Sequence, residues 1–595
     1  MPQDGWLSHK ELKIIKGLGI IPGDVNSAES SPVVVNLLSG GINLTSDGWS
    51  PEIAQVKNGG VWVESPLSDG RELLAAAAGN VIEKMTVIIT DSSYLGMMKA
   101  LSGLNQMAQD CRDYWQTETQ IEPVYLAWWA GCGVGTQYAL LSNIEVSPDY
   151  QDGINPTIIA SITLEREPYW RGIPPGANPK QWSYYVNPAR PQFNVNGASF
   201  VSGTDHLIKS IVTNKFEWTP TAYGLQTTPL VVTGQSSQNY IDINASQVPG
   251  DAPALVEMGI TTDVGVPADI YIGRTSKKLS GRGHDGVTRY NSLILNAGDG
   301  NNTGVVTKTA AGAANGVISN GLGFPNYIYG VRTVTGIDAA FVTASQWGSN
   351  SGANGVKLDR QLFRGTYAVF CRCTNQSAAA PVATDMQIRL FVEEFEDNAA
   401  NQSINSVTLP SVNPPISNPA FQYPGLAYMG VLSLPLGNRA VQSPLGYGIQ
   451  LQEANSNLRI SVQLKVDVAT ANRTFAITDL IFMPIDEGMA QVSLSLSTFS
   501  ASGAMVIDNT GYYTRGEQKQ SAVSYVTNAN SGGVSQEIRG QDITLAPKTN
   551  QRLYFIADVF HSTATPTALA YASTPSQLIT VYLNIVPRWT AIRDV

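Results

Sequence analysis

The longest run of strict alternation in the chain lies between residues 458 and 468. Leu458, Ile460, Val462, Leu464, Val466 and Val468 fall on one side, and Arg459, Ser461, Gln463, Lys465 and Asp467 on the other. A period of two over that length predicts a strand with one buried face and one wet face. Met386, Ile388, Leu390 and Val392 repeat the pattern, as do Tyr367, Val369, Cys371 and Cys373. Clusters of Gly, Asn and Pro, as at 296–302 and 410–424, punctuate these strands. Many strands with such spacing predict an antiparallel sandwich, with jelly-roll topology the expected form.

The first third of the chain reads differently. Met85, Val87 and Ile89 alternate with Lys84, Thr86 and Ile88, a strand pattern that leads into Asp91-Ser92-Ser93. Those side-chain oxygens can accept the free amides of a first helical turn. Tyr94, Met98, Leu101, Leu104, Ala108, Cys111 and Trp115 then recur at steps of three and four. They predict one apolar stripe on a helix of about six turns, weakened locally by Gly96 and Gly103. Val124, Leu126 and Trp128 alternate with Tyr125, Ala127 and Trp129, so both faces of that strand are apolar. Such a strand needs cover on both sides, from the helix and from another sheet or subunit. Tyr125, Trp128 and Trp129 are accordingly candidates for subunit contacts. Further strands are expected at 137–146 and 157–165. A turn at Pro168-Tyr169-Trp170-Arg171-Gly172 ends the second, and a Pro/Gly-rich linker reaches about residue 191.

The last hundred residues return to β patterning. Leu553, Phe555 and Ala557 form one set, and Leu578, Thr580, Tyr582 and Asn584 alternate with Ile579, Val581, Leu583 and Ile585. A chain of 595 residues exceeds what one hydrophobic core serves. The expected fold is mostly β. An N-terminal β-sandwich with one packed α-helix covers 1–195, and a jelly-roll-type β-sandwich covers 196–490. A C-terminal β region over 491–595 either stands alone or completes another domain.

Composition narrows the function classes. Charged residues make up only 14% of the chain, below the usual quarter. Neutral polar sheet faces, or surfaces covered by neighbouring subunits, fit that figure, since burying charge is costly. The net charge of -10 comes with no basic cluster, so sequence-specific nucleic-acid binding is not expected. No stretch reaches the length of a membrane span, and residues 1–13 lack the apolar core of a signal peptide.

Chemistry is sparse. His9, His206, His284 and His561 have no ligand-like spacing. Cys132 lies in Gly131-Cys132-Gly133-Val134-Gly135-Thr136, which lacks the Lys-Ser/Thr of a phosphate loop. Cys371 and Cys373 share one strand face and read as buried thiols. Asp486-Glu487-Gly488 and Asp299-Gly300-Asn301-Asn302 suit acid–base or calcium chemistry on paper, but read first as a charged strand end and a hairpin turn. No catalytic residue, metal or cofactor is therefore expected. Eleven Trp and 24 Tyr leave one binding alternative: Trp347, Tyr423 and Tyr428, placed in loops of the sandwich, stacking on a host sugar. The competing reading is that they fill cores and subunit contacts. A polysaccharide-degrading enzyme would need carboxylates converging in a groove.

One resemblance adds to this. Gly59-Gly60-Val61-Trp62-Val63-Glu64-Ser65-Pro66-Leu67-Ser68-Asp69-Gly70-Arg71 precedes the capped helix, and Glu122-Pro123-Val124-Tyr125-Leu126 follows it. Leu164-Glu165-Arg166-Glu167-Pro168-Tyr169-Trp170-Arg171-Gly172 closes the unit. This order resembles distal tail and tail-tip proteins of long-tailed bacteriophages. Leu362-Phe363-Arg364-Gly365-Thr366-Tyr367 and Asp479-Leu480-Ile481-Phe482-Met483-Pro484-Ile485-Asp486-Glu487-Gly488 resemble prophage tail proteins with a jelly-roll, carbohydrate-binding-like insertion. The resemblance implies a virion protein assembled in the host cytoplasm, packed with copies of itself around a six-fold axis. Such a ring joins the tail tube to the tip, leaves a channel for DNA, and meets tube, hub and tip proteins. The jelly roll would point outward, toward the host and its surface glycans. No catalytic residues carry over. The chain departs from the pattern in its length and its extra C-terminal β region.

Overall fold

The computed structural model describes residues 11–16, 33–38, 41–55, 61–64, 71–75, 78–116, 123–129, 137–152, 155–172, 206–212, 220–221, 224–225, 240–248, 250–262, 269–275, 281–282, 288–289, 293–296, 307–309, 329–334, 340–347, 358–359, 365–377, 386–396, 403–413, 416–417, 425–434, 456–466, 473–493, 504–508, 522–526, 538–540, 543–557 and 578–592. The protein is mostly β, with one α-helix among the described residues and largely antiparallel sheets.

The N-terminal unit is built on Gln137–Asp152, a strand longer than its apolar pattern predicted. Its first residues pair with Val124–Trp129, and the rest pairs with Thr157–Arg166. Register shifts at Leu141/Asn143 and Pro148/Tyr150 absorb the change of partner and the proline. Beyond Val124–Trp129 the sheet continues through Glu11–Lys16 to Val33–Asn36; beyond Thr157–Arg166 it continues through Val81–Thr90 to Ile42–Trp49. The helix Tyr94–Gln116 seals the core, in which Met97, Leu104 and Cys111 meet Val87, Leu126, Ile144 and Ile162.

The buried helix face is not quite the predicted stripe. Leu104, Ala108 and Cys111 are buried as expected, but Met97, Met107 and Tyr114 join them. Tyr94 and Met98 are exposed, and Trp115 is 38% exposed while its indole donates to the Leu141 carbonyl (2.9 Å). Met97 and Tyr114 satisfy the same three-and-four spacing, so periodicity alone could not choose between neighbouring faces. Ser93 caps the helix by accepting the Gly96 N–H at 3.0 Å, and Asp91 Oδ1 in turn accepts the Ser93 N–H at 2.8 Å. A Cβ on Gly96 would lie 2.1 Å from Asp91 Oδ1, whereas one on Gly103 would meet nothing within 4 Å.

A charge pair sits inside this core. Glu83 and Arg166 are both fully buried, each on the core-facing set of its strand. Arg166 donates to Glu83 Oε1 at 2.8 Å, to the Glu52 carbonyl at 2.6 Å and to the Glu167 carbonyl at 2.9 Å. Glu83 also accepts the Trp49 indole N–H at 2.9 Å and the Glu52 amide, and the Arg166 guanidinium lies over the Trp170 ring at 4.5 Å. Burial holds Arg166 below its ordinary value, with Glu83 opposing. The bonds satisfy the groups that burial would otherwise penalise.

A second sandwich is discontinuous in sequence. One sheet orders Tyr240–Ile243, Gln551–Ala557, Asp269–Thr275, Gly488–Ser493 and Ile538–Gly540. Facing it are His206–Val212, Leu578–Trp589, Ala252–Thr262, Ala504–Asp508 and Ala522–Val526. Ile241, Ile270, Ile272, Leu553 and Phe555 pack against Val256, Met258, Val581, Leu583 and Ile585 between them. These pairings cut across the border at 490: the 491–595 region completes another domain, one of the two outcomes its sequence left open. Strands from both sides of 490 share one core, because the last strand inserts between two early ones.

The third unit is inserted between Asp269–Thr275 and Gly488–Ser493. Its main strands, in chain order, are Tyr329–Val334, Val342–Trp347, Gly365–Ser377, Met386–Glu396, Ser403–Thr408, Gly425–Leu434, Ser456–Val466 and Arg473–Pro484. The first, eighth, third and sixth form one sheet, and the second, seventh, fourth and fifth form the other. That is the jelly-roll order, as the alternation predicted. Its core is made of the predicted sets: Val369, Cys371 and Cys373 against Ile388, Leu390, Val392, Ile460, Val462 and Leu464.

Two results are expected from these packings. Gly103→Ala raises unfolding free energy by about 0.5–1 kcal/mol, as a helix interior with room for the methyl allows; Gly96→Ala lowers it, because the methyl displaces the Asp91 carboxylate. Denaturant titration of each variant reads the opposite signs. Glu83→Ala, which strands a buried guanidinium, costs about 3–5 kcal/mol, read from the shift of the denaturant midpoint at constant slope.

Candidate functional site

The sequence placed subunit contacts at Tyr125, Trp128 and Trp129. The structure corrects two of these. Tyr125 is 0% and Trp128 9% exposed within a single chain. Tyr125 packs edge-on against Tyr138 at 5.6 Å, and Trp128 against Trp49 at 5.5 Å. The two rings lie on opposite faces of the strand: Trp128 enters the N-terminal core, and Tyr125 is enclosed beside Tyr138 and the Glu167–Arg171 ion pair (2.7 Å). Trp129 pairs with Glu11 through its backbone, and its side chain lies outside the described residues. Of the apolar groups that reach the surface of this unit, Tyr94 and Met98 were expected on the buried stripe and Leu95 was not singled out. Tyr94, Leu95 and Met98 cluster on the first turns of the helix, with Val34 at the sheet edge. The available signal was a stretch of helix apolar on more than one face, Tyr94, Leu95, Met97 and Met98, only part of which can be buried.

Two of the proposed sugar-stacking residues, Trp347 and Tyr428, stand on strands of different sheets of the jelly roll. Trp347 ends the Val342–Trp347 strand, opposite Ile460, and is not in a loop. Tyr428 lies on Gly425–Leu434, in the other sheet of the jelly roll. Its half-buried ring is already engaged, 5.3 Å from Phe370 and 5.8 Å from Tyr271, and burial pushes its phenol up. Tyr423 lies outside the described residues. Trp347 and Tyr428 are thus strand residues and not the loop residues expected.

Tyr271 comes from the second sandwich, so this aromatic group marks the mount of the insertion. The outward face of the third and eighth jelly-roll strands is buried too: Ala368, Phe370, Ile481 and Met483 are at most 1% exposed. Unbroken apolar runs at 367–371 and 480–483 carried that signal, since a strand facing water on one side alternates. Asp486 ties the two units together. Its carboxylate accepts the Thr366 amide from the jelly roll at 2.9 Å and the Thr275 hydroxyl from the second sandwich at 3.2 Å. Ile485 N–H donates to the Thr366 carbonyl (2.8 Å), Glu487 N–H to the Arg274 carbonyl (3.0 Å), and the Arg274 guanidinium to the Glu487 carbonyl (2.7 Å). A Cβ on Gly273 would sit 2.5 Å from the Pro484 carbonyl, so only glycine permits this approach. The carboxylate weighed from sequence for acid–base or calcium chemistry is thus taken up by structural hydrogen bonds.

A comparable tie joins the second sandwich to the N-terminal unit. The segment expected as a closing turn is a short strand, Trp170–Gly172, which pairs with both Gln137–Asp152 and Leu578–Trp589. Arg588 stacks over Tyr169 at 4.7 Å and donates to the Pro253 carbonyl, while burial lowers its guanidinium to about 10. Asp251 accepts the Thr590 amide at 2.6 Å, and Ile592 packs against the N-terminal core.

Among the described residues, no three His, Cys, Asp or Glu side chains gather as a metal site, and no helix is long and apolar enough to cross a membrane. The Gly131–Thr136 segment with Cys132, the 299–302 turn, and His9, His284 and His561 lie outside the described residues.

No protein-family profile matches the chain, and no curated protein matches it. Among solved structures, a chain of the phage P2 baseplate in its activated conformation with Ca is similar at 10% identity and a TM-score of 0.22, over 47% of this chain and 75% of that one. The Dit protein of phage SPP1, described as a paradigm of hub adsorption apparatus, is similar at 7% identity and a TM-score of 0.20, over 39% and 64%. A tandem CBM22 domain of Paenibacillus barcinonensis Xyn10C covers 50% of this chain and 96% of its own at 11% identity, with a TM-score of 0.14. At these scores the likenesses carry no argument about function.

Because its ring is packed rather than presented, Tyr428→Ala is expected to lower stability by about 1–2 kcal/mol through lost aromatic contacts, measured by thermal or denaturant unfolding. An unchanged midpoint would return Tyr428 to the list of free surface aromatics.

Proposed function

We propose that the chain is a non-enzymatic structural protein of a bacteriophage tail, a subunit of a homo-oligomeric ring of six copies. The ring joins the tail tube to the tip and leaves a channel for DNA, and its partners are tube, hub and tip proteins. Support comes first from the sequence resemblance of the helix-bearing N-terminal unit to distal tail proteins.

The observation that carries the reading is the uncovered apolar patch on that unit. Tyr94 is 56%, Leu95 66% and Met98 38% exposed, on a helix whose opposite face is fully packed. Contiguous apolar groups held in water by a rigid element mark an interaction surface, and a closed ring covers such a patch once per contact. A chain with 14% charged residues is suited to dry contacts of that kind. The jelly roll joins the assembly through the second sandwich and faces outward.

Leu95→Ser combined with Met98→Ser is expected to leave the fold intact, with stability changed by no more than about 0.5 kcal/mol, and to reduce the oligomer to smaller species. Size-exclusion chromatography with light scattering reads the mass, and circular dichroism the fold. A parent protein that is a monomer in solution and absent from purified virions would refute the proposal.

A further inference from the structure

We infer that Asp486, with Thr275 and Thr366, is a clasp that fixes the angle of the jelly roll on its carrier, so that displacement of the outer sandwich is passed to the rest of the chain. The inference stands on the geometry of the mount and is independent of the tail assignment. Three kinds of contact converge there. The carboxylate bridges the two units, bonding Thr366 on one and Thr275 on the other. Backbone bonds flank it on both sides, from Ile485 to Thr366 and from Glu487 to Arg274. Tyr271 of the carrier stacks edge-on against Phe370 at 4.7 Å, beside Tyr428.

The covalent connection is also short. The eighth jelly-roll strand ends at Pro484, and the carrier strand begins at Gly488. A turn of three residues whose polar groups are bonded to both units leaves little freedom to pivot. A tethered domain would show the reverse: an exposed, polar linker and solvated facing surfaces. Motion of the jelly roll therefore enters Asp269–Thr275 and Gly488–Ser493. It crosses the shared core to Leu578–Trp589, which pairs with Trp170 and Arg171 of the N-terminal unit. Asp486 is a positioning residue in the turn by which the chain returns from the jelly roll to its carrier.

The test uses the full chain with paired spin labels at Val431→Cys on the jelly roll and Lys548→Cys on the carrier, in a Cys132→Ser background. Cys111, Cys371 and Cys373 are buried and take no label. Dilution with unlabelled protein suppresses distances between copies. Pulsed electron paramagnetic resonance is expected to give one narrow distance peak in this parent. Asp486→Ala is expected to at least double its width, Thr275→Val to broaden it less, and Asp486→Asn, which keeps an acceptor for the Thr366 amide, to restore it. Thr275→Val removes only a hydroxyl and keeps the test open if Asp486→Ala does not fold. A broad distribution in the parent, or an unchanged width in both Asp486→Ala and Thr275→Val, would overturn the inference. Neither outcome depends on whether the protein forms a ring.

Discussion

A strand that is apolar on both faces must be covered twice, and that constraint decides how this protein is put together. An alternating strand is satisfied by one partner layer. Val124–Trp129, Gly365–Ser377 and Arg473–Pro484 are not alternating over much of their length, and side chains on both faces of each are buried. On the second face of Val124–Trp129, Tyr125 is closed off by Tyr138 of the adjoining strand, beside the Glu167–Arg171 pair. For the jelly-roll strands the second layer is the neighbouring sandwich, with Tyr271 at the contact. The jelly roll and the second sandwich therefore bury part of each other, and the second sandwich is tied in turn to the N-terminal unit through Trp170–Gly172.

Much of this was legible in the sequence, for a simple reason: strands with one wet face advertise it. The sets Leu458–Ile460–Val462–Leu464 and Met386–Ile388–Leu390–Val392 fill the jelly-roll core as read. The helix limits were equally plain, since Asp91-Ser92-Ser93 caps it as expected. The rotation of its buried face was not, because Met97 and Met98 are equally apolar and only tertiary packing separates them. Which domain the 491–595 region completes was not legible for a different reason. Pairing between Ala252–Thr262 and Leu578–Trp589 spans over three hundred positions of the chain, and local patterning holds no record of which distant strand is a partner.

The chemistry-bearing residues tell a similar story. Glu83 and Arg166 each stand in the core register of an otherwise apolar set, a sequence anomaly that resolves into a buried pair. Asp486 offered no such anomaly, since a carboxylate at a strand end is ordinary. Its role emerges only when Thr275 and Thr366, distant in sequence, are brought to it. Tyr428 shows the converse: an aromatic that reads as a surface platform is spoken for once its neighbours are in place.

The placement of Leu578–Trp589 has a consequence for biosynthesis. This strand lies between His206–Val212 and Ala252–Thr262, yet leaves the ribosome hundreds of residues after them. The jelly roll, whose main strands are contiguous, can close while translation continues, but the middle sandwich has to wait with its interior open. Nascent chains cut short would thus be left with a complete jelly roll on an unfinished support, whose open interior chaperones and proteases recognise.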